Sequence, residues 1–177
     1  MWQRGELIGE GSFGRVYSGL ELTSGKRIAV KELTLSSGKK LEDQARLVEK
    51  EVKLMSELRH HNIILYLGTE QIRNTVRIFM ELATEGSLKE ALKEFGGLSE
   101  IVIRKYCHDI CSGLAYLHSC NVIHRDIKPS NLLISAGVIK IADMGCSAHF
   151  LGQGTADASN HTVAGTTIYM LVSLLVS

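Results

Sequence analysis

Near Gly86 the hydrophobic period of this chain changes from two to about 3.6, which demands two differently built parts. Upstream, Leu7-Ile8 and residues 15–19 and 27–31 alternate or carry β-branched side chains, with Thr23-Ser24-Gly25 as a turn. Three strands joined by short turns predict an antiparallel sheet. A helix is expected over residues 40–58, because Leu41, Ala45, Val48, Val52, Met55 and Leu58 recur at steps of three and four. Residues 63–67 and 76–80 read as two more strands. Downstream, Ser87 caps a short helix ending near Phe95, before Gly96-Gly97, and Ser99 caps a longer one to about His118. Val102, Tyr106, Ile110, Leu114 and Leu117 share one face of the longer helix. Residues 131–134 and 138–141 form a short hairpin, and residues 149–161 lack periodicity and read as a mobile loop. The expected class is α+β: a sheet-rich lobe with one helix, then a helical lobe, with a hinge over residues 81–85.

Composition narrows the partners. A length of 177 residues with 45% hydrophobic and 22% charged residues suits a folded chain of one core or two small lobes. A net charge of +1 gives no electrostatic reason to expect nucleic acid or a membrane surface. No apolar run approaches the roughly 18–20 residues that span a bilayer. Met1-Trp2-Gln3-Arg4-Gly5 leads straight into a strand pattern, not a signal peptide. Cys107, Cys111, Cys120 and Cys146 follow no zinc or redox spacing and read as buried thiols in a reducing, cytoplasmic setting. The histidines have no metal-ligand pattern, and His124 reads as structural.

The chemistry is concentrated in His124-Arg125-Asp126-Ile127-Lys128-Pro129-Ser130-Asn131, with Asp143 twelve residues on. Asp126 can accept a proton from an attacking hydroxyl, and Lys128 can neutralise charge on a moving phosphoryl group. Asn131 and Asp143 offer hard oxygens to Mg²⁺ bridging nucleotide phosphates. Upstream, Gly9-Glu10-Gly11-Ser12-Phe13-Gly14-Arg15-Val16 is a G-x-G-x-x-G-x-V loop between strands, where Gly9, Gly11 and Gly14 let main chain approach phosphates. Lys31 sits in the apolar run Ala29-Val30-Lys31, where an unpaired ammonium would be costly. A helix carboxylate must reach it. Glu51, beside the packed face, is preferred, with Glu49 the neighbouring candidate.

Together these motifs resemble, in order and spacing, the eukaryotic protein kinases. Lys128, two residues after Asp126, resembles the serine/threonine class. Residues 58–64, Ile78-Phe79-Met80-Glu81, Gly86-Ser87-Leu88-Lys89 and the run around Tyr116-Leu117-His118 are similar to the MAP kinase kinase kinase group. The resemblance implies a two-lobe kinase fold: an ATP-binding lobe over residues 1–82, a partial helical lobe over 83–170 and a divergent apolar tail over 171–177. It implies ATP and Mg²⁺ as cofactors, with Ile8, Val16, Ala29 and Leu133 around adenine, Met80 behind it, and main-chain groups of Glu81 and Ala83 on its edge. Lys31 held by Glu51 would meet the α- and β-phosphates. Arg125 implies control by phosphorylation, with Thr162 the best-placed acceptor and Thr166 facing the substrate. The implied substrate is a protein, a MAP kinase kinase among the candidates.

Two departures from the family pattern carry expectations. Asp143-Met144-Gly145 stands where Asp-Phe-Gly is usual, which keeps the metal ligand and softens the column of Met55, Tyr66, Met144 and His124. The match runs to about Met170, without the Pro-Glu and helices that follow in the family. A truncated product is expected, with apolar surface exposed on the helix after Ser99 and association through it. The alternative function is then a catalytically impaired ATP-binding or interaction module. A small-molecule kinase is disfavoured by Lys128 and the glycine loop.

Overall fold

The computed structural model describes residues 1–11, 14–35, 40–144 and 148–149, of which 40–43 and 148–149 are described by main chain alone. It divides into two compact units, one of Met1–Arg59 with Ile64–Ala83, the other of His60–Ile63 with the chain from Thr84 on.

The first unit is a five-stranded antiparallel sheet and one helix. Strands β1 (Trp2–Gly11), β2 (Gly14–Glu21), β3 (Arg27–Thr34), β4 (Tyr66–Ile72) and β5 (Thr75–Glu81) lie in the order β1-β2-β3-β5-β4, and α1 spans Lys40–Glu57. β3 lies inside the sheet, and five of its eight residues are buried. Burial of a side chain such as Val30 or Ile78, each fully enclosed, contributes about 1.5–3 kcal/mol. The α1 stripe reaches the core through Leu54 and Met55, and Leu58 is buried just past the helix end, while the side chain of Leu41 lies outside the described residues.

One expected strand is misplaced. Residues 63–67 do not form one; β4 begins at Tyr66, and Ile63 makes an isolated parallel bridge to Ile141 in the second unit. Ile63 and Ile64 are buried, so the apolar run is used for packing before the chain enters the sheet.

The second unit holds α2 (Leu88–Phe95), α3 (Glu100–Ser119), β6 (Val122–Ile123), a 3-10 turn (Pro129–Asn131), and β7 (Leu132–Ser135) paired with β8 (Val138–Ile141). β6 pairs with β9 (Ala148–His149), a contact no local pattern announces. Ser87 caps α2 in a reciprocal box: its hydroxyl accepts from the Glu90 N–H at 3.3 Å, and the Glu90 carboxylate accepts from the Ser87 N–H at 2.7 Å. Ser99 caps α3 by accepting from the Val102 N–H at 3.4 Å. Gly113 on α3 is required by close approach, since a Cβ there would lie 2.8 Å from Ile141 and 3.0 Å from the Asn62 carbonyl.

The cysteine expectation is corrected. Cys107 and Cys111 are exposed and Cys120 is half-buried. The thiols at 107 and 111 each follow by one residue a member of the packed face, Tyr106 and Ile110, and so point about 100° away from it. α3 also exposes Ile101 and Ile103. Cys146, the expected loop over 150–161, Thr162, Thr166 and the tail over 171–177 lie outside the described residues. No helix among the described residues is long and apolar enough to cross a membrane.

Candidate functional site

In the first unit, antiparallel pairing places Gly9 opposite Val16 and Gly11 opposite Gly14, so strand geometry runs to both ends of the glycine loop. Ser12 and Phe13 lie outside the described residues. Gly14 has φ 118°, and a Cβ there would stand 2.3 Å from the Glu32 carbonyl oxygen, so only glycine fits. Val16 is opposite Lys31, and Ala29 is opposite Met80. Lys31 donates to the Glu51 carboxylate at 3.0 Å, and the two side chains are only 10% and 15% exposed. Glu49 is exposed. The helical register therefore selects Glu51.

Ile8 is half exposed. Glu81 commits its N–H to the Leu65 carbonyl at 2.9 Å, and its carboxylate accepts from the Leu65 N–H at 2.8 Å. Ala83 is half-buried and ends this unit. Leu133 belongs to the second unit, half-buried in β7 and bridged to Ser87. The column residues divide likewise: Met55 and Tyr66 in the first unit, His124 and Met144, both buried, in the second.

In the second unit the acidic and basic groups converge on one oxygen. Asp126, buried, receives Lys128 Nζ at 2.6 Å and Asn131 Nδ2 at 3.0 Å on the same Oδ2. Asn131 Nδ2 also donates to the Asp126 carbonyl at 2.9 Å. With both donations directed at Asp126, the amide oxygen of Asn131 is the atom it can offer a cation. The turn at 129–131 and the pairing of Leu132 with Ile141 set this arrangement beside Asp143 in sequence, and the Ala142 N–H closes it on the Asn131 carbonyl at 2.9 Å. Arg125 and Asp143 both have left-handed main chain, φ 67° and 64°. Such conformations cost of the order of 1–3 kcal/mol and persist where surrounding bonds fix them.

His124 supplies two of those bonds. Its Nδ1 accepts from the Asp126 N–H at 3.2 Å, and its Nε2 lies 3.0 Å from the Ala142 carbonyl. Accepting at Nδ1 and facing a carbonyl at Nε2 defines one neutral tautomer, protonated at Nε2. The ring is fully enclosed, and burial holds its pKa below the ordinary histidine value, a shift only partly opposed by the Ala142 contact. His60, stacked on Tyr116 at 4.8 Å, is shifted down too, by burial and then by His61 and Lys140.

These shifts have a sign in stability. Unfolded histidine protonates near pH 6.5, and the folded state resists it, so below about pH 6.5 the unfolded chain binds more protons. The histidine contribution to stability is therefore full above that pH and declines as pH falls below about 6.5. Urea unfolding across this range is expected to show the decline. At pH 6.5 the imidazole resonance of His124 is expected to show mainly the neutral Nε2–H pattern, and a His124 titrating at or above about 6.5 would contradict the geometry.

The donor set suits Mg²⁺. Asn131 and Asp143 bring hard oxygens, and a cation of this kind usually takes one or two protein ligands and completes its shell with phosphate oxygens and water. Among the described residues no group of three or more His, Cys, Asp or Glu forms an all-protein metal cage.

Sequence reasoning passes over two polar residues of this unit, Asn62 and Asp109, which bond the free edge of β8. Asn62 enters it only within a motif, and Asp109 carries no signal, because a helical acid is ordinarily solvated.

Comparison with known proteins identifies the family. The protein kinase domain model matches residues 2–175. The chain is 42% identical over 154 residues to mitogen-activated protein kinase kinase kinase YODA of Arabidopsis thaliana, covering 86% of this chain and 17% of that protein. It is 41% identical over 155 residues to mitogen-activated protein kinase kinase kinase A of Dictyostelium discoideum, covering 85% and 16%. It is 43% identical over 157 residues to human mitogen-activated protein kinase kinase kinase 19, covering 87% and 12%. The chain thus spans under a fifth of the length of these relatives.

Proposed function

This chain belongs to the protein kinase domain family, and on that premise we propose that it transfers the γ-phosphate of ATP to a serine or threonine hydroxyl of a protein. The observation that carries this reading is the convergence of Lys128 and Asn131 on one oxygen of buried Asp126. Asp126 orients the acceptor hydroxyl and takes its proton. Lys128 balances charge on the phosphoryl group. Asn131 and Asp143 would hold Mg²⁺, which would supply neutralisation of charge on the phosphate oxygens.

In the first unit Lys31, oriented by Glu51, meets the α- and β-phosphates under the glycine loop. Ile8, Val16 and Ala29 of this unit contact adenine, Met80 lies behind it, and Glu81 and Ala83 bond its edge. The names of the relatives support a MAP kinase kinase as substrate. Exposed free thiols at Cys107 and Cys111 favour a reducing compartment such as the cytoplasm.

A second reading rests on Phe95 and Ile101, which are 70% and 81% exposed. Apolar surface of this kind suits a module that binds ATP and associates through the second unit without transfer. Both readings require nucleotide binding. At 100 times Kd, Mg-ATP should stabilise the chain by about 2.7 kcal/mol and raise Tm accordingly. No rise with Mg-ATP, across millimolar concentrations, would overturn both.

A further inference from the structure

The β7–β8 hairpin has only four residues in each strand, and the two cation-ligand candidates flank it: Asn131 directly before β7, Asp143 two residues after β8. Two short strands in isolation are marginally stable. The main-chain groups of Ile139 and Ile141 bond outward from the pair, so that edge needs partners of its own.

Two residues from distant places in the sequence provide them. The Ile139 N–H donates to Asp109 Oδ2 on α3 at 3.0 Å, while Asn62 Nδ2 donates to the Ile139 carbonyl at 3.0 Å. The Ile141 N–H donates to the Asn62 carbonyl at 2.8 Å, and Ile63 bridges Ile141 in parallel. Asn62 is buried and the Asp109 side chain is 13% exposed, so these bonds are shielded from water. Lys105, one helical turn before Asp109, stands 3.5 Å from that carboxylate and donates to the Gly137 carbonyl at the hairpin turn. The outer edge of β8 is thus bonded along its length as if by a third strand.

Resting on the kinase reading above, we infer that Asp109 and Asn62 are positioning residues for the Mg²⁺ ligands. They fix β8, β8 fixes the main chain into Asp143, and pairing of Leu132 with Ile141 carries the same constraint to Asn131. Asp109 touches no reacting atom; it acts through the strand. Its carboxylate oxygen is the group required, so an amide oxygen in its place should serve, and a methyl should not.

The experiment compares Asp109→Ala, Asp109→Asn and Leu117→Val in the full chain. Leu117 is fully enclosed on α3 and makes a general packing loss without touching β8 bonds. Two readouts are taken well below each variant's Tm: the Mg²⁺ concentration giving half the stabilisation by ATP, and amide hydrogen exchange at Ile141 and Ala142. Asp109→Ala is expected to raise the Mg²⁺ midpoint about tenfold, the scale seen when partners that orient metal ligands are removed. It should also speed exchange at both amides, while Asp109→Asn stays within about twofold and Leu117→Val moves neither. Unchanged exchange in Asp109→Ala, or an equal change in Leu117→Val, would overturn the inference. Absence of any Mg-ATP effect in the parent would instead overturn the nucleotide reading, and the exchange comparison would still decide the positioning role.

Discussion

Asp126→Asn is expected to reduce phosphate transfer by about 10²–10⁴-fold, the usual contribution of a positioned general base, while leaving Mg-ATP stabilisation close to that of the parent. The asymmetry follows from the bonds around Asp126. Lys128 and Asn131 both donate to Oδ2, and an asparagine side chain keeps one oxygen able to receive them. The main-chain bond from residue 126 to His124 is also untouched. What the substitution removes is the negative charge and the basic oxygen that takes the proton. Equal loss of binding and transfer would mean that Asp126 serves the fold of the loop. Transfer within a few fold of the parent would remove Asp126 from the chemistry.

Lys31→Met is expected to abolish most of the stabilisation by Mg-ATP and to lower the stability of the first unit as well. Lys31 and Glu51 are both largely withdrawn from water, so removing the cation takes away the carboxylate's ammonium partner. A fully buried orphan charge costs about 3–5 kcal/mol; with part of each side chain exposed, about 1–3 kcal/mol is the expectation. The double variant Lys31→Met with Glu51→Gln should recover part of that loss, because no orphan charge remains. It should not recover nucleotide binding, since a neutral amide cannot replace an ammonium beside phosphate. Denaturant unfolding and Mg-ATP thermal shift on the parent, the two single variants and the double variant separate the two effects. A Lys31→Met protein that loses stability yet keeps the full Mg-ATP shift would make the pair structural only.

Much of this is legible from local chemistry. The β-strands around the glycine loop, α1, α2, α3 and their serine caps follow from periodicity and from the first unsatisfied N–H groups of each helix. The glycine at position 14 is tied to the Glu32 carbonyl, a neighbour that the spacing alone does not reveal. Helical register favours Glu51 over Glu49, and the main chain places Glu51 at Lys31 for that same reason.

The errors of strand pairing share a cause. Residues 63–67 have the composition of a strand, but hydrophobicity records that Ile63 and Ile64 are buried, not against which neighbour. The partner of Ile63 is Ile141, far along the chain. The β6–β9 pairing is illegible for the same reason. The thiols are a different case: the periodicity that finds Tyr106 and Ile110 already places Cys107 and Cys111 off that face, and an expectation of burial there follows composition against register. The tautomer of His124 depends on Ala142, and the edge of β8 on Asn62 and Asp109. Long-range hydrogen bonds leave no period in a sequence.

Whether this chain moves phosphate can be read from a single assay. Purified chain is incubated with ATP labelled at the γ-phosphate, Mg²⁺ and a basic protein substrate, beside an Asp126→Asn blank, and the labelled amino acids are identified after hydrolysis. Label is expected on serine or threonine, dependent on Mg²⁺ and at least about 10²-fold above the blank. Incorporation equal to that of the Asp126→Asn protein would contradict the proposed transfer.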